Sequence, residues 1–283
     1  MNVLVWLKRD LRTHDHPALT LAAGLGPVLP VHIVEPSIWS LPDASARQWD
    51  FVAESLADLR EGLASLGLPL IVRVGEAVEV LERLCRQHHI ARIVSHEETG
   101  NLATYARDRA VAAWARGAGI RWTELPQSGV IRRLPDRDGW AGQRDGFMAQ
   151  PLLPIPTARA VPGVEPGQIP TARALKLPPD ACPHRQLGGR ARALDLLDSF
   201  LARRGEPYRT AMSSPLTAER ACSRLSAHLA WGTLSIREVV QATAARQAER
   251  PGGRWGGALA SFQSRLAWRD HFVQKLEDQP SIE

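Results

Sequence analysis

The first 130 or so residues alternate between two hydrophobic rhythms. Short runs rich in β-branched and apolar residues stand at Val3–Trp6, Val28–Glu35, Leu70–Val74, Ala91–Ser95 and Arg121–Glu124. Between them lie segments whose apolar positions recur at helical spacing: His16–Ala23, Ala46–Leu66, Ala77–His89 and Leu102–Ala118. Strands separated by helical crossovers predict a parallel sheet covered by helices on both faces. Such a sheet binds ligands outside the carboxyl ends of its strands. No GxGxxG follows the first run; the chain continues Lys8-Arg9-Asp10-Leu11-Arg12, so the shape is Rossmann-like without the dinucleotide fingerprint.

From Leu134 to about Pro183 the rhythm stops. Nine prolines, at 151, 154, 156, 162, 166, 170, 178, 179 and 183, deny this stretch a long helix or a central strand. It reads as a connector wrapped over the surface. From Gly188 onward the helical period returns, with expected helices at Ala191–Arg203, Ala218–Ala230, Ile236–Ala248 and Trp255–Glu277. The fold class expected is therefore α/β: a five-stranded parallel sheet over 1–133, a Pro-rich linker over 134–187, and an all-helical part over 188–283.

Composition narrows the function classes. With 44% apolar and 23% charged residues, the chain is that of a globular protein. No apolar run approaches the roughly 18 residues of a membrane span, and no basic n-region precedes the first strand. A cytoplasmic location is expected, with no membrane partner. Cys85, Cys182 and Cys222 are far apart and form no CxxC, so neither a disulfide framework nor a zinc site is indicated. The charge is uneven: residues 184–283 hold 15 Lys and Arg against 10 Asp and Glu, which accounts for the whole net charge of +5. A basic surface on the helical part suits a polyanion such as DNA.

Two segments carry candidate chemistry. Cys222-Ser223-Arg224-Leu225-Ser226 packs hydroxyls and a guanidinium into what reads as a helix start, and Arg265 and Arg269 share a helix face. Small hydroxyls and free N–H groups with arginines nearby suit a phosphate-bearing ligand; an N-cap with surface arginines is the alternative. His14 and His16 flank Asp15 in an expected turn, and His96 with Glu97 and Glu98 ends a strand; no metal-type spacing is present, so no metal site is expected. Walker A and GxSxG motifs are absent.

Five ordered stretches resemble the DNA photolyase/cryptochrome family: WLKRDLRTHDHPAL (6–19), HEETGNLATYARDR (96–109), GGRARALDLLDSFL (188–201), ACSRLSAHLAWGTLSIRE (221–238) and FQSRLAWRDHFVQKLEDQP (262–280). The resemblance implies a light-driven flavoprotein that binds FAD through its helical domain and repairs cyclobutane pyrimidine dimers in UV-damaged DNA by electron transfer. A cryptochrome-like photoreceptor without repair activity, and an inactive fragment, are the alternatives. It implies FAD contacts at Tyr208, Cys222, Ser223, Arg224, Leu225, Ser226, Phe262, Arg265 and Arg269, and a DNA face at Arg265, Trp268 and Arg269. Arg224 pairs either with an acidic side chain or with the cofactor, and Trp268 belongs either to the core or to the cleft. The α/β part would shelter an optional antenna chromophore of the folate or deazaflavin type.

The chain also departs from the family. Cys222 stands where relatives more often have Thr, Phe262 where many have Trp, Arg265 where many have Glu, and Met212 where several have Arg. The family's helical domain continues well beyond the point matching Glu283, so a C-terminally truncated chain is expected; a complete one would be monomeric and nucleoid-associated. The flavin-ring contacts and the electron-relay tryptophans fall mostly past that point, so no catalytic residue is assigned. An iron–sulfur cluster, which one branch carries, would need about four cysteines.

Overall fold

A computed structural model describes residues 1–282. Strands β1 (Asn2–Leu7), β2 (Val28–Val34), β3 (Ile71–Val74), β4 (Ile90–His96) and β5 (Arg121–Leu125) form one parallel sheet in the order β3-β2-β1-β4-β5. Four helices connect them: α1 (Pro17–Leu25), α3 (Ala46–Ala64), α4 (Ala77–Gln87) and α5 (Leu102–Gly117); the four-residue α2 (Pro36–Trp39) precedes α3. Alternate residues of β1 serve opposite faces, as a two-residue period requires. Val3, Val5 and Leu7 pack with Trp49, Val52 and Leu56 of α3, while Leu4 and Trp6 pack with Val80, Leu81 and Leu84 of α4. The order in which strands are added reverses between β1 and β4, the place where such parallel sheets open a crevice.

The proline-rich segment is ordered by backbone pairing rather than by helix or strand. Val28 and Ala160 bridge, Val72 N–H donates to Pro166 O at 2.7 Å, and the Trp49 indole donates to Pro170 O at 2.9 Å. Within the expected linker over 134–187 the chain forms one helix that the sequence pattern did not predict, α6 (Trp140–Met148), whose nine residues contain no proline. Arg144 on α6 is buried and donates to Asp270 at 2.8 Å.

The helical part holds α7 (Arg190–Ser199), a π-helical turn (Phe200–Arg204), α8 (Tyr208–Ala211), α9 (Pro215–Ala221), α10 (Ser226–Trp231), α11 (Ile236–Glu249) and α12 (Gly253–Asp278). The single helix expected over Ala218–Ala230 is two: Cys222–Leu225 break it, with Arg224 in the left-handed region at φ +64°. Helix α7 is capped from another element. The N–H groups of Gly188, Gly189 and Arg190 donate to Glu54, Ser55 and Asp58 on α3 at 2.7, 3.0 and 3.0 Å, which satisfies donors that a helix start otherwise leaves open. Glycine is required there because a Cβ on Gly188 would collide with the Phe51 carbonyl.

The loop after β1 ties the two halves together. Asp15 is 1% exposed; it accepts from Ser235 Oγ at 2.5 Å, from Arg237 and from Leu153 N–H at 3.2 Å. Arg12 donates to Gly232 O at 3.1 Å, and Leu11 N–H to Trp231 O at 3.0 Å. Gly232 sits at φ +65° against the Arg9 carbonyl, where a side chain would collide.

On the inner side of the same loop Asp10 accepts from His96 Nδ1 at 2.7 Å and faces His16 Nε2 at 3.1 Å. Burial works against the Asp10 charge, but the bonds from His16 and His96 hold its carboxyl well below the ordinary range. Burial, reinforced by His16, pushes His96 down to about 3, and burial pushes His32 and His228 down to about 4. These three are neutral in the folded protein, whereas the unfolded chain takes up protons below about 6.5. Stability therefore falls as pH drops from about 6.5 toward about 4. Urea unfolding at about pH 7 and about pH 5 is expected to show a lower unfolding free energy at the acid value, by about 1–2 kcal/mol per histidine. His96→Asn, which keeps a donor for Asp10, is expected to remove part of that slope.

Candidate functional site

Two elements of different origin make the main cavity of the helical half. Helix α12 presents Phe262, Arg265, Leu266 and Arg269 along one side, the i, i+3, i+4, i+7 spacing of a single face. Opposite lie Tyr208 at the start of α8 and the segment Cys222–Ser226 between α9 and α10. With Gln186 and Leu229 they enclose about 450 Å³. The cavity thus gathers Tyr208, Cys222, Ser223, Arg224, Leu225, Ser226, Phe262, Arg265 and Arg269, residues up to 61 positions apart in sequence. Its base is aromatic: Phe200 packs on Phe262 at 4.6 Å and edge-on to Tyr208 at 5.5 Å.

The electrostatics of the lining are one-sided. Among the described residues, three arginines border the cavity and no carboxylate does. Among the described residues, neither Arg224 nor Arg265 has a carboxylate within ion-pair reach; Arg269 reaches Asp270 at 3.3 Å and donates to Leu229 O at 3.0 Å. The backbone N–H groups of Ser223, Arg224 and Ser226 have no hydrogen-bond partner among the described residues, and neither has the Tyr208 hydroxyl. Burial raises the Tyr208 hydroxyl and the Cys222 thiol above their usual values, so both stay protonated at neutral pH and able to donate. Donors and cations without acceptors or anions suit a polyanionic ligand.

Trp268 lies outside the cavity and outside the core. It is 51% exposed, one side of its indole covered by the Arg265 guanidinium at 4.2 Å. Phe272, also exposed, meets it edge-on at 6.5 Å. Met212 is half-buried against the helical core.

The crevice at the carboxyl ends of β1, β2 and β4 is filled by the protein's own side chains. Arg107 joins Glu35 at 2.8 Å, Glu98 at 3.1 Å and Asp108 at 2.9 Å, with its guanidinium over Trp6. Lys8 pairs with Asp108 at 2.8 Å. Little more than 40 Å³ is left. An adjoining cavity of about 210 Å³ opens toward the helical half, between Trp39, Asp43, Gln48, Asn101 and Trp231. Trp39 and Trp231 stack at 5.8 Å with planes 7° apart, and Arg9 covers Trp231.

Asp10, His16 and His96 bring three ligand-type atoms within 4.8 Å of one another, all buried. The proton layout is that of a hydrogen-bond network. Leu19 N–H donates to His16 Nδ1 at 3.0 Å, which fixes the His16 proton on Nε2, the atom an ion would have to take. Sequence reasoning missed this network, and also the Arg107 and Arg144 pairs, because each needs a distant partner: His96 lies 86 positions from Asp10, Glu35 72 from Arg107 and Asp270 126 from Arg144.

Known proteins share the sequence pattern and the fold. The DNA photolyase family model matches residues 3–133. A deoxyribodipyrimidine photo-lyase of Halobacterium salinarum is 29% identical, the match covering 96% of this chain and 61% of that protein. A cryptochrome DASH of Gloeobacter violaceus is 28% identical over 95% of this chain and 58% of its own length. A class III photolyase from Agrobacterium tumefaciens shares the fold, with a TM-score of 0.80 at 24% identity over 99% of this chain and 59% of that one. Residues 3–133 thus match the DNA photolyase family, and nearly the whole chain is similar to DNA photolyases and cryptochromes. The chain spans about three-fifths of the length of the relatives it matches.

Within this photolyase-type chain the Cys222–Ser226 segment is held under stress. Arg224 occupies a left-handed conformation that costs a non-glycine residue roughly 1–2 kcal/mol, and Arg224 and Arg204 repel each other. Asn tolerates that conformation better and carries no charge. Arg224→Asn is expected to stabilise the ligand-free protein by about 0.5–1 kcal/mol in chemical denaturation. Part of that gain is expected to vanish at high salt, which screens the repulsion.

Proposed function

We propose that the protein is a photolyase-like flavoprotein whose helical cavity binds FAD and which repairs cyclobutane pyrimidine dimers in UV-damaged DNA in a light-dependent reaction. The single observation that carries the reading is the cavity of about 450 Å³ whose wall, among the described residues, has three arginines, a tyrosine hydroxyl and unpartnered N–H groups and no carboxylate. That donor set fits the diphosphate of FAD. In this reading residues 1–133 are the antenna-type α/β domain, 134–187 the linker, and 188–283 the first part of the FAD-binding domain.

Each residue then has a task. Tyr208, Ser223 and Ser226 donate to phosphate oxygens together with the N–H groups of Ser223 and Arg224. Cys222 supplies only a weak thiol donor where a hydroxyl would be stronger. Arg224, Arg265 and Arg269 neutralise the two phosphate charges, and Phe262 with Leu225 forms the apolar wall. When bound and reduced, the flavin supplies the light-driven electron; the protein binds and orients it. An antenna chromophore of the folate or deazaflavin type fits the cavity beside Trp39 and Trp231 better than the filled crevice beneath Arg107. The DNA face consists of Arg265, Trp268 and Arg269, and a flipped base is cheapest to extract at a damaged pair.

One observation favours a second reading, a cryptochrome-like photoreceptor without repair. Arg265 lies on the Trp268 ring at 4.2 Å and has no acceptor to offer a base edge. The two readings separate on one preparation. The purified protein is expected to carry the visible spectrum of bound flavin, and Phe262→Ala to lose most of it. With the flavin reduced, illumination is expected to restore dimer-containing DNA. Flavin binding without repair, and equal affinity for damaged and undamaged DNA, would leave the photoreceptor reading. A colourless, folded protein would rule out both.

A further inference from the structure

Helix α7 does not end as an α-helix. The five residues that continue it, Phe200–Arg204, wind as a π-helical turn closed by Gly205 N–H donating to Phe200 O at 2.9 Å. Such turns insert a residue and re-aim the side chains that follow. Here Phe200 is fully buried against Tyr208 and Phe262, and Arg204 points toward the back of the Cys222–Ser226 segment. A side chain at Gly205 would press on the Phe200 carbonyl, so the turn requires glycine at its exit.

Arg204 spends every donor group on neutral acceptors. It donates to Cys222 O at 2.5 Å, to Ser223 O at 3.4 Å, to Leu196 O at 2.9 Å and to Ser199 Oγ at 3.0 Å. No carboxylate lies within ion-pair reach among the described residues, and the charge that bears on it is the repelling Arg224. On the other side of the segment, the Gln186 amide holds Arg224 O.

A peptide unit is planar and trans, so fixing a carbonyl fixes the next N–H in the opposite direction. Holding Cys222 O and Ser223 O behind the segment turns the N–H groups of Ser223 and Arg224 the other way, and these are among the N–H groups without partners at the cavity. We propose that Arg204 is a positioning residue for diphosphate binding: it holds two carbonyls away from the ligand and adds a positive charge behind the segment that no carboxylate among the described residues pairs. The proposal rests on the FAD reading above and extends it to a residue outside the cavity lining.

The test uses the full protein and FAD itself, comparing wild type with Arg204→Met and Arg204→Lys by binding titration and by phosphorus NMR of the bound diphosphate. Arg204→Met is expected to weaken FAD binding about tenfold or more and to shift the diphosphate resonances. Arg204→Lys keeps the charge but not the bridge between carbonyls, and should recover only part of the affinity while the resonances stay displaced. Gln186→Leu, which releases only Arg224 O, gives the same two readouts should Arg204→Met fail to fold. Unchanged affinity overturns the proposal, and so does weaker binding with unmoved phosphorus resonances, which would mark Arg204 as a mere support of the cavity wall. A folded wild type that takes up no FAD would instead remove the FAD reading, and this proposal with it.

Discussion

The Asp15 carboxylate is the interaction on which the arrangement of the two halves depends. It is buried and left-handed in backbone, and it receives Ser235, Arg237 and the Leu153 N–H, so that the sheet, the proline-rich segment and α11 meet on one charge. A buried carboxylate is tolerable only when fully partnered, because desolvation of each ion is costly. Burial would raise the Asp15 pKa; the bonds from Ser235 and Arg237 more than reverse this. The loop that carries Asp15 also carries Asp10, which anchors it to β4 through His96, and Arg12, which holds the Gly232 carbonyl. One nine-residue loop, Lys8–His16, therefore positions α10 and the segment before it against a rigid sheet.

That rigidity matters because the cavity stores unfavourable charge. Arg204 and Arg224 repel each other, Arg265 lies over Trp268, none of the three has a carboxylate within ion-pair reach among the described residues, and Arg224 adds backbone strain. Sites kept ready for a ligand often carry such costs, which the surrounding structure must absorb. Here the absorbing structure is the helical core around Phe200, Phe262 and Val239, together with the clamp at Asp15.

Much of the fold was legible in the sequence because it follows from local periodicity. Five β-branched runs became five strands, and the stop signal of nine prolines became a segment held by backbone pairing. The helix expected over Ala218–Ala230 failed because its break is imposed from elsewhere: Arg204 and Gln186 hold the carbonyls of Cys222, Ser223 and Arg224, and no Gly or Pro marks the spot. Trp268 could not be placed from spacing alone, since a large apolar residue on an amphipathic helix reads the same whether its face is covered or open. The family's residues gathered at one cavity, whereas Arg204 and the Asp10 network needed the tertiary structure, their partners being 18 and 86 positions distant.

Hydrogen exchange on Asp15→Asn reads whether the charge on Asp15 holds the helical half in place, and with it the cavity. This change preserves shape but leaves Arg237 buried without its counter-ion, a loss of about 3–5 kcal/mol. Amides from about residue 222 to 238 are expected to lose protection while those of the five strands keep theirs. Unchanged exchange over 222–238, or a loss spread evenly through the sheet, would contradict the account.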